Sequence, residues 1–325
     1  MTVKKVTIIA AAGALLLAGA IGISIKLTQP QAMEMEVAET DAQAEDSPRT
    51  LENMENIPLY YNDKEILLLP LRNVMEGLGG TVTWDAETRQ TEISYRGKKL
   101  LLRPGETEAS LNGYEITLPK AAEMINGCLY ADEEIISAYY TGDVLWDTDS
   151  GQIILQAKDH TVPIVASKQL TGARDGRSYE ITVPVVVGVN DARFEQNLNA
   201  GIRRELLEKG EAFLQEEAAE DAQEAALHLE LHTELVTQEF LSFWWDGAAG
   251  DRLVYFAKNI DLVGQKTALL SELVNAAEMT ELRMAGGEGW SEESFYLAQD
   301  GTPVLLTTDE NGRLSRYYPG GEDAS

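Results

Sequence analysis

Disulfide chemistry is closed to this chain, because Cys128 is the only cysteine among its 325 residues. Any folded part must therefore hold together by hydrophobic burial alone. Flanked by Gly127 and Leu129, Cys128 is expected to be a small buried hydrophobe. A nucleophilic thiolate wants a base beside it, and histidine is nearly as scarce, with only His160, His228 and His232. Positive charge is thin as well: 26 basic residues face 54 acidic ones, for a net charge of -28. Such a surface repels nucleic acid, anionic lipid headgroups and anionic wall polymers at long range. Partners are expected to be neutral or cationic, namely a basic protein, a sugar or a divalent metal. The plainer reading is that the charge keeps an exported protein soluble.

Catalytic signatures are missing too. There is no Gly-x-Ser-x-Gly elbow, and Gly286-Gly287-Glu288-Gly289 lacks the Gly-Lys-Ser/Thr ending of a phosphate loop. Acidic pairs such as Asp261/Glu272 and Glu292/Glu293 arise by chance among 54 carboxylates, so none is assigned a catalytic role.

What the chain does have begins with an oily run. Val6 to Ile25 is twenty residues without a charge, directly behind Lys4 and Lys5. At ~1.5 Å per residue it matches the hydrocarbon thickness of a bilayer. The lysines stay on the cytoplasmic side, which places the rest outside. As a cleaved signal, the run would be cut after Ala18-Gly19-Ala20; as an anchor, it continues through Ile21–Ile25 to Lys26. Its length favours the anchor, and no cysteine near residue 20 is available for lipidation. Residues 1–26 are thus read as an anchor or signal and 27–56 as an acidic linker. The linker holds eight acidic residues between Glu34 and Glu55 against Arg49 alone, with Pro30, Pro48 and no apolar period.

Residues 57–157 contain an internal repeat. Gly80, Val82, Trp84 and Asp85 recur at one constant offset as Gly142, Val144, Trp146 and Asp147. In each copy a short helix (Leu71–Leu78, then Glu133–Tyr140) ends at glycine, and a strand, an acidic turn and a second strand (Gln90–Tyr95, then Gln152–Gln156) come after it. Linking strands are expected at Lys98–Arg103, Glu108–Leu111 and Tyr114–Leu118, with an Asn112-Gly113 turn. Pro70-Leu71-Arg72, Gly77-Leu78-Gly79 and Val82-Thr83-Trp84-Asp85 resemble the copper amine oxidase N-terminal-like domain, a stalk-type module of secreted bacterial wall proteins. The resemblance does not carry copper chemistry. That chemistry takes three histidines and an Asn-Tyr-Asp/Glu precursor, whereas this stretch has no histidine and reads Tyr61-Asn62-Asp63. No cofactor is expected.

Residues 158–320 form a second unit, and 321–325 a tail. Tyr179–Val189 reads as a strand whose Pro184 marks an edge. Asn190-Asp191 caps a helix carrying Phe194, Leu198, Ile202 and Leu206 on one stripe, with helix expected on to Ala226. Leu227–Thr237 alternates, with Leu227, Leu229, Leu231 and Leu235 inward and His228, Glu230, His232 and Glu234 outward. Further strands are expected at Phe240–Trp245, Leu253–Ile260, Ser294–Ala298 and Pro303–Thr307. Phe240-Leu241-Ser242-Phe243, Asn259-Ile260-Asp261-Leu262-Val263-Gly264-Gln265-Lys266 and Phe295-Tyr296-Leu297 resemble the ectodomain of RsiV-type anti-sigma factors, which also accompanies certain peptidoglycan deacetylases. Where that family has Gly-Gly-Ala-His-Gly, this chain has Gly247-Ala248-Ala249-Gly250, without the histidine. The resemblance implies a sensing ectodomain, in some members for lysozyme. The five residues ahead of Val6 are too short for a sigma-binding domain, and the deacetylases keep their chemistry in a separate catalytic domain.

The expectation is an α+β protein: an N-terminal membrane helix, then two small α+β domains with mainly antiparallel sheets. Its expected role is a membrane-tethered, non-enzymatic binding or sensing module at the bacterial envelope, with a wall glycan or a basic protein such as lysozyme as ligand. The alternatives are a wall-glycan hydrolase or metal-dependent enzyme, and a purely structural stalk. Candidate metal ligands are His228, Glu230 and His232 on one strand face, although same-face neighbours stand ~7 Å apart. Candidate ligand-binding residues are Trp244, as an exposed stacking ring, and Tyr317.

Overall fold

The computed structural model describes residues 49–50, 60–61, 67–140, 142–147, 152–157, 162–216, 225–286, 291, 294–309 and 312–319. Residues 1–48, with the oily run and most of the acidic linker, lie outside the described residues. Among the described residues no helix is long and apolar enough to cross a membrane.

In the first half, β1 (Arg49–Thr50), β2 (Tyr60–Tyr61) and β3 (Leu67–Pro70) precede α1 (Leu71–Gly77). The ring of Pro70 fixes φ at -69° at the helix entrance, and Gly79 takes the left-handed exit at φ 90°. Gly80 is required by contact: a Cβ there would meet the carbonyl oxygens of Ser94 at 2.9 Å and Met75 at 3.0 Å. The chain then runs through β4 (Thr81–Asp85) and β5 (Gln90–Tyr95), joined by a turn in which Asp85 accepts the Glu87 amide. Next come β6 (Lys98–Leu102), β7 (Glu108–Leu111) and β8 (Tyr114–Thr117). The turns Arg96-Gly97 and Asn112-Gly113 place all four residues at positive φ, the twist that two-residue hairpins demand. β4 to β8 form a five-stranded meander. After β9 (Glu123–Ile125) and β10 (Cys128–Asp132) come α2 (Glu133–Tyr140), β11 (Gly142–Asp147) and β12 (Gln152–Ala157). Both copies of the repeat thus fold as a helix followed by two antiparallel paired strands.

The second half opens with a long hairpin, β13 (Ile164–Arg174) and β14 (Arg177–Val187). α3 (Ala192–Gln215) then crosses back to β15 (Ala225–Val236), which pairs parallel with β14. β16 (Phe240–Ala249), β17 (Arg252–Asp261) and β18 (Lys266–Thr267) complete an otherwise antiparallel six-stranded sheet. α4 (Leu270–Leu273) and α5 (Ala276–Gly286) lead to a three-stranded sheet of β19 (Phe295–Leu297), β20 (Pro303–Thr308) and β21 (Leu314–Tyr317). The architecture is α+β with mainly antiparallel sheets and few helices.

α3 starts where expected: the Asp191 carboxylate accepts the amides of Arg193 and Phe194 at 2.9 Å each. Its apolar stripe packs on one face of the large sheet. Gly210 lets the helix approach Tyr179, whose ring would lie 2.9 Å from an added Cβ. The expected helical stretch to Ala226 is corrected at its end, where Ala225-Ala226 begin β15; α3 is described to Gln215, and residues 217–224 lie outside the described residues.

Two further differences are physical. β14 is an interior strand, yet its pairing with β15 stops at Ile181, so Pro184 has a strand partner only through Ser167 of β13. The edge chemistry of proline is therefore met locally. Beyond it, Asn199 of α3 stands in for the missing strand. Its amide accepts the Val186 N–H at 2.8 Å and donates to the Val186 carbonyl at 2.7 Å. Second, pairing slips between Thr233 and Leu235. This bulge sends Leu235 to the opposite face from Leu227 and Leu229, into a cluster with Phe295 and Leu305.

The two halves share a core. The cluster built on α1, α2 and the five-stranded meander also holds Ile164 and Ala166 of β13 and Val185 and Val187 of β14. An ion pair between Lys168 of β13 and Glu108 of β7 reinforces the junction, as does the Gln169 amide donating to Thr117 of β8 at 3.2 Å.

Candidate functional site

The outward face of β15 carries the three candidate metal ligands, but strand pairing gives each its own neighbour. His228 stands opposite Glu180 of β14, with Nδ1 3.8 Å from the carboxylate. Glu230 stands opposite Asp246 of β16. His232 holds Asp246 through Nε2 at 2.6 Å, and its ring lies on Trp244 at 3.8 Å between centroids. His228 and His232 are therefore drawn sideways to carboxylates on two different neighbouring strands instead of inward to one ion. Among the described residues no group of three His, Cys, Asp or Glu side chains is placed to hold a metal.

Trp244 is likewise not an exposed platform. It is 1 % exposed. One ring face is covered by His232; Tyr296 lies 5.8 Å away in near-parallel stacking, and the Arg316 guanidinium sits 4.9 Å from the ring centre. Its indole N–H donates to Glu234 at 2.8 Å, so the bulge residue satisfies the one polar atom of the ring. Burial, together with the Tyr318 hydroxyl at 3.5 Å, pushes the Tyr296 phenol above its ordinary value. Tyr317 donates its hydroxyl to Glu281 of α5 at 2.7 Å, and that carboxylate raises the phenol in turn. The expectation for Trp244 failed because the β19–β21 sheet, which covers its face, cannot be located from a strand pattern. Conversely, Trp84 on β4 is 43 % exposed, and Cys128, expected buried, is exposed at the start of β10.

A concave surface of the second half lies elsewhere. A groove of about 900 Å³ runs between α3 and the β17–β18 edge of the large sheet. Phe194, Ile202 and Ile260 give it apolar lining. The Lys258–Glu205 ion pair bridges its sheet and helix sides. Gln265, at φ 52° in the β17–β18 turn, donates to Asp191 at 3.2 Å and ties that turn to the helix start. The Asp191 carboxyl is held below its usual range by the Phe194 amide first and then by Gln265. Arg193, Asn197 and Arg204 of α3 are exposed along the groove, as are Gln265 and Thr267 opposite. Gly201 lines the helical wall, and a Cβ there would meet nothing within 4 Å.

In sequence, this groove left two faint marks. One is a glycine inside a helix-forming stretch; the other is the polar run Gly264-Gln265-Lys266 beside a strand. Neither predicts that the two face each other.

Residues 49–155 match the family model described as the copper amine oxidase N-terminal domain. The match runs from β1 into β12, the unit that carries the repeat. No curated protein matches the chain. Among solved structures, the chain is similar to a member of the DUF3298 family from Bacteroides fragilis, at 12% identity and a TM-score of 0.36, over 50% of this chain and 91% of that one.

Proposed function

We propose that this chain is a membrane-tethered, extracytoplasmic binding or sensing module of the bacterial cell envelope, with a wall glycan or a basic protein such as lysozyme as ligand. The observation that carries the reading is the uncharged run Val6–Ile25 behind Lys4 and Lys5. The acidic linker after it supports the same reading, since self-repulsion extends such a segment and holds the folded part of the chain away from the membrane. The resemblance of the second half to RsiV-type ectodomains supports a sensing role. The groove beside α3, with apolar lining and polar side chains converging on it, has the form of a binding cleft. Binding is favoured over hydrolysis because the histidines on β15 are engaged within the fold, His228 beside Glu180 and His232 with Asp246.

The test is retention of the full-length chain, solubilised in detergent, on purified peptidoglycan sacculi and on immobilised lysozyme, at low and high salt. Retention on either matrix is expected. Retention that vanishes at high salt identifies capture by charge, because exposed charges are screened there. Failure on both matrices overturns the reading. So does cell fractionation that leaves the intact chain in the cytosol and out of reach of protease added to whole cells. Wall-glycan turnover lost in Glu230→Ala or His228→Ala would establish the hydrolase alternative instead.

A further inference from the structure

We infer that the groove between α3 and the β17–β18 edge binds a carboxylate-bearing sugar chain. The inference rests on the envelope-binding reading and names the chemistry of its ligand.

The first argument comes from Gly201. Glycine inside a helix costs stability relative to alanine, so its presence asks for a reason. The other glycine of α3, Gly210, has one, because a Cβ there would strike the Tyr179 ring at 2.9 Å. Gly201 has none within the fold: nothing lies within 4 Å of the Cβ it lacks. The vacant position is on the groove wall, so what glycine provides there is close approach of a ligand to the helix backbone.

The second argument comes from charge. Acidic residues outnumber basic ones about two to one in this chain. The groove reverses that balance, with Arg193, Arg204, Lys258 and Lys266 against Asp191, Glu205 and Glu208. Lys258 is joined to Glu205, and Lys266 to Glu272. Arg204 is exposed and makes no ion pair among the described residues, so its planar fork is open to a carboxylate in bidentate geometry. The neighbouring groups suit a sugar. Asn197, Gln265 and Thr267 offer donors and acceptors to hydroxyls, and the partly exposed Phe194 ring offers a flat apolar face to a pyranose.

The test is calorimetric titration of the full-length chain with two probes: a muramic-acid disaccharide, which carries a carboxylate, and chitobiose, its neutral counterpart. The charged disaccharide is expected to bind about tenfold more tightly, the size of one charge-assisted hydrogen-bonded contact. Gly201→Leu, which fills the vacant position, is expected to abolish binding while leaving the thermal unfolding temperature unchanged or raised. Arg204→Gln is expected to keep chitobiose binding and lose the preference for the charged sugar. Equal affinity for the two probes overturns the inference, as does undiminished binding by Gly201→Leu. Poly-glutamate bound in a Gly201→Leu-sensitive way, with neither sugar bound, would assign the groove to acidic peptides and also overturn it. A chain that binds neither sugar yet is retained by sacculi or lysozyme sinks this inference and leaves the envelope reading standing. Failure of both sugars, sacculi and lysozyme alike sinks both.

Discussion

Lys98 is a basic residue placed where its charge is disfavoured. It sits on β6 with its side chain on the core side, beside Leu100 and Leu102, and is 7 % exposed. Burial, with a smaller push from Arg96, lowers its ammonium to about 8 from an ordinary value near 10.5. Between those values the unfolded chain holds a proton that the folded chain has released, so stability rises with pH across that window. We expect the urea midpoint of the full chain to increase from pH 7 to pH 9.5, at no more than about 1.4 kcal/mol per pH unit. Lys98→Met should remove the slope and stabilise the protein at pH 7 by roughly 2 kcal/mol. A flat profile in the wild type would show that the ammonium is solvated. Alternation along β6 sets Lys98 on the same face as Leu100 and Leu102, and that face is buried.

At the scale of elements, α3 and β14 are held by a device that no propensity encodes. Asn199 completes the hydrogen bonds of Val186 where β15 has already diverged. Glu195, one turn earlier, accepts the amides of Gly188 and Val189 at 2.7 and 2.9 Å. Both side chains are nearly buried, so an unmet partner costs its full desolvation. Asn199→Asp would set a carboxylate oxygen against the Val186 carbonyl. It should destabilise the protein by about 3 kcal/mol, measured by chemical denaturation, and Asn199→Ala by about 2 kcal/mol. A loss below about 0.5 kcal/mol in both would mean that the strand end finds water instead. The helix was legible from Asp191 and its apolar stripe. The strand alternation of β15 was legible only as far as Leu231, because the bulge before Leu235 depends on the partner strand.

At the scale of the molecule, the core of the first half is completed by residues of the second. Ile164, Ala166, Val185 and Val187 complete the cluster of the first half, and Lys168 reaches across to Glu108. A chain ended at Ala157 therefore uncovers apolar surface that β13 and β14 now cover, at about 25 cal/mol per Å² exposed. Such a truncation should lack a cooperative melting transition and bind hydrophobic dye, while the full chain melts its two halves together. Calorimetry showing the truncated chain unfolding cooperatively at the temperature of the parent would refute this.

Local features belonged to the sequence. The repeat, its Gly79 exit, the Asn112-Gly113 turn, the Asp191 cap and the strand-rich α+β class each arise from backbone sterics or from a period that neighbouring residues set by themselves. The faces those elements share did not. Whether Trp244 meets solvent or Tyr296, whether His232 meets an ion or Asp246, and whether Gly201 meets a side chain or an open groove depend on which distant segments arrive. That is settled by the packing of β19–β21 and α3 on the large sheet, where burial and polar satisfaction are decided among residues far apart in the chain.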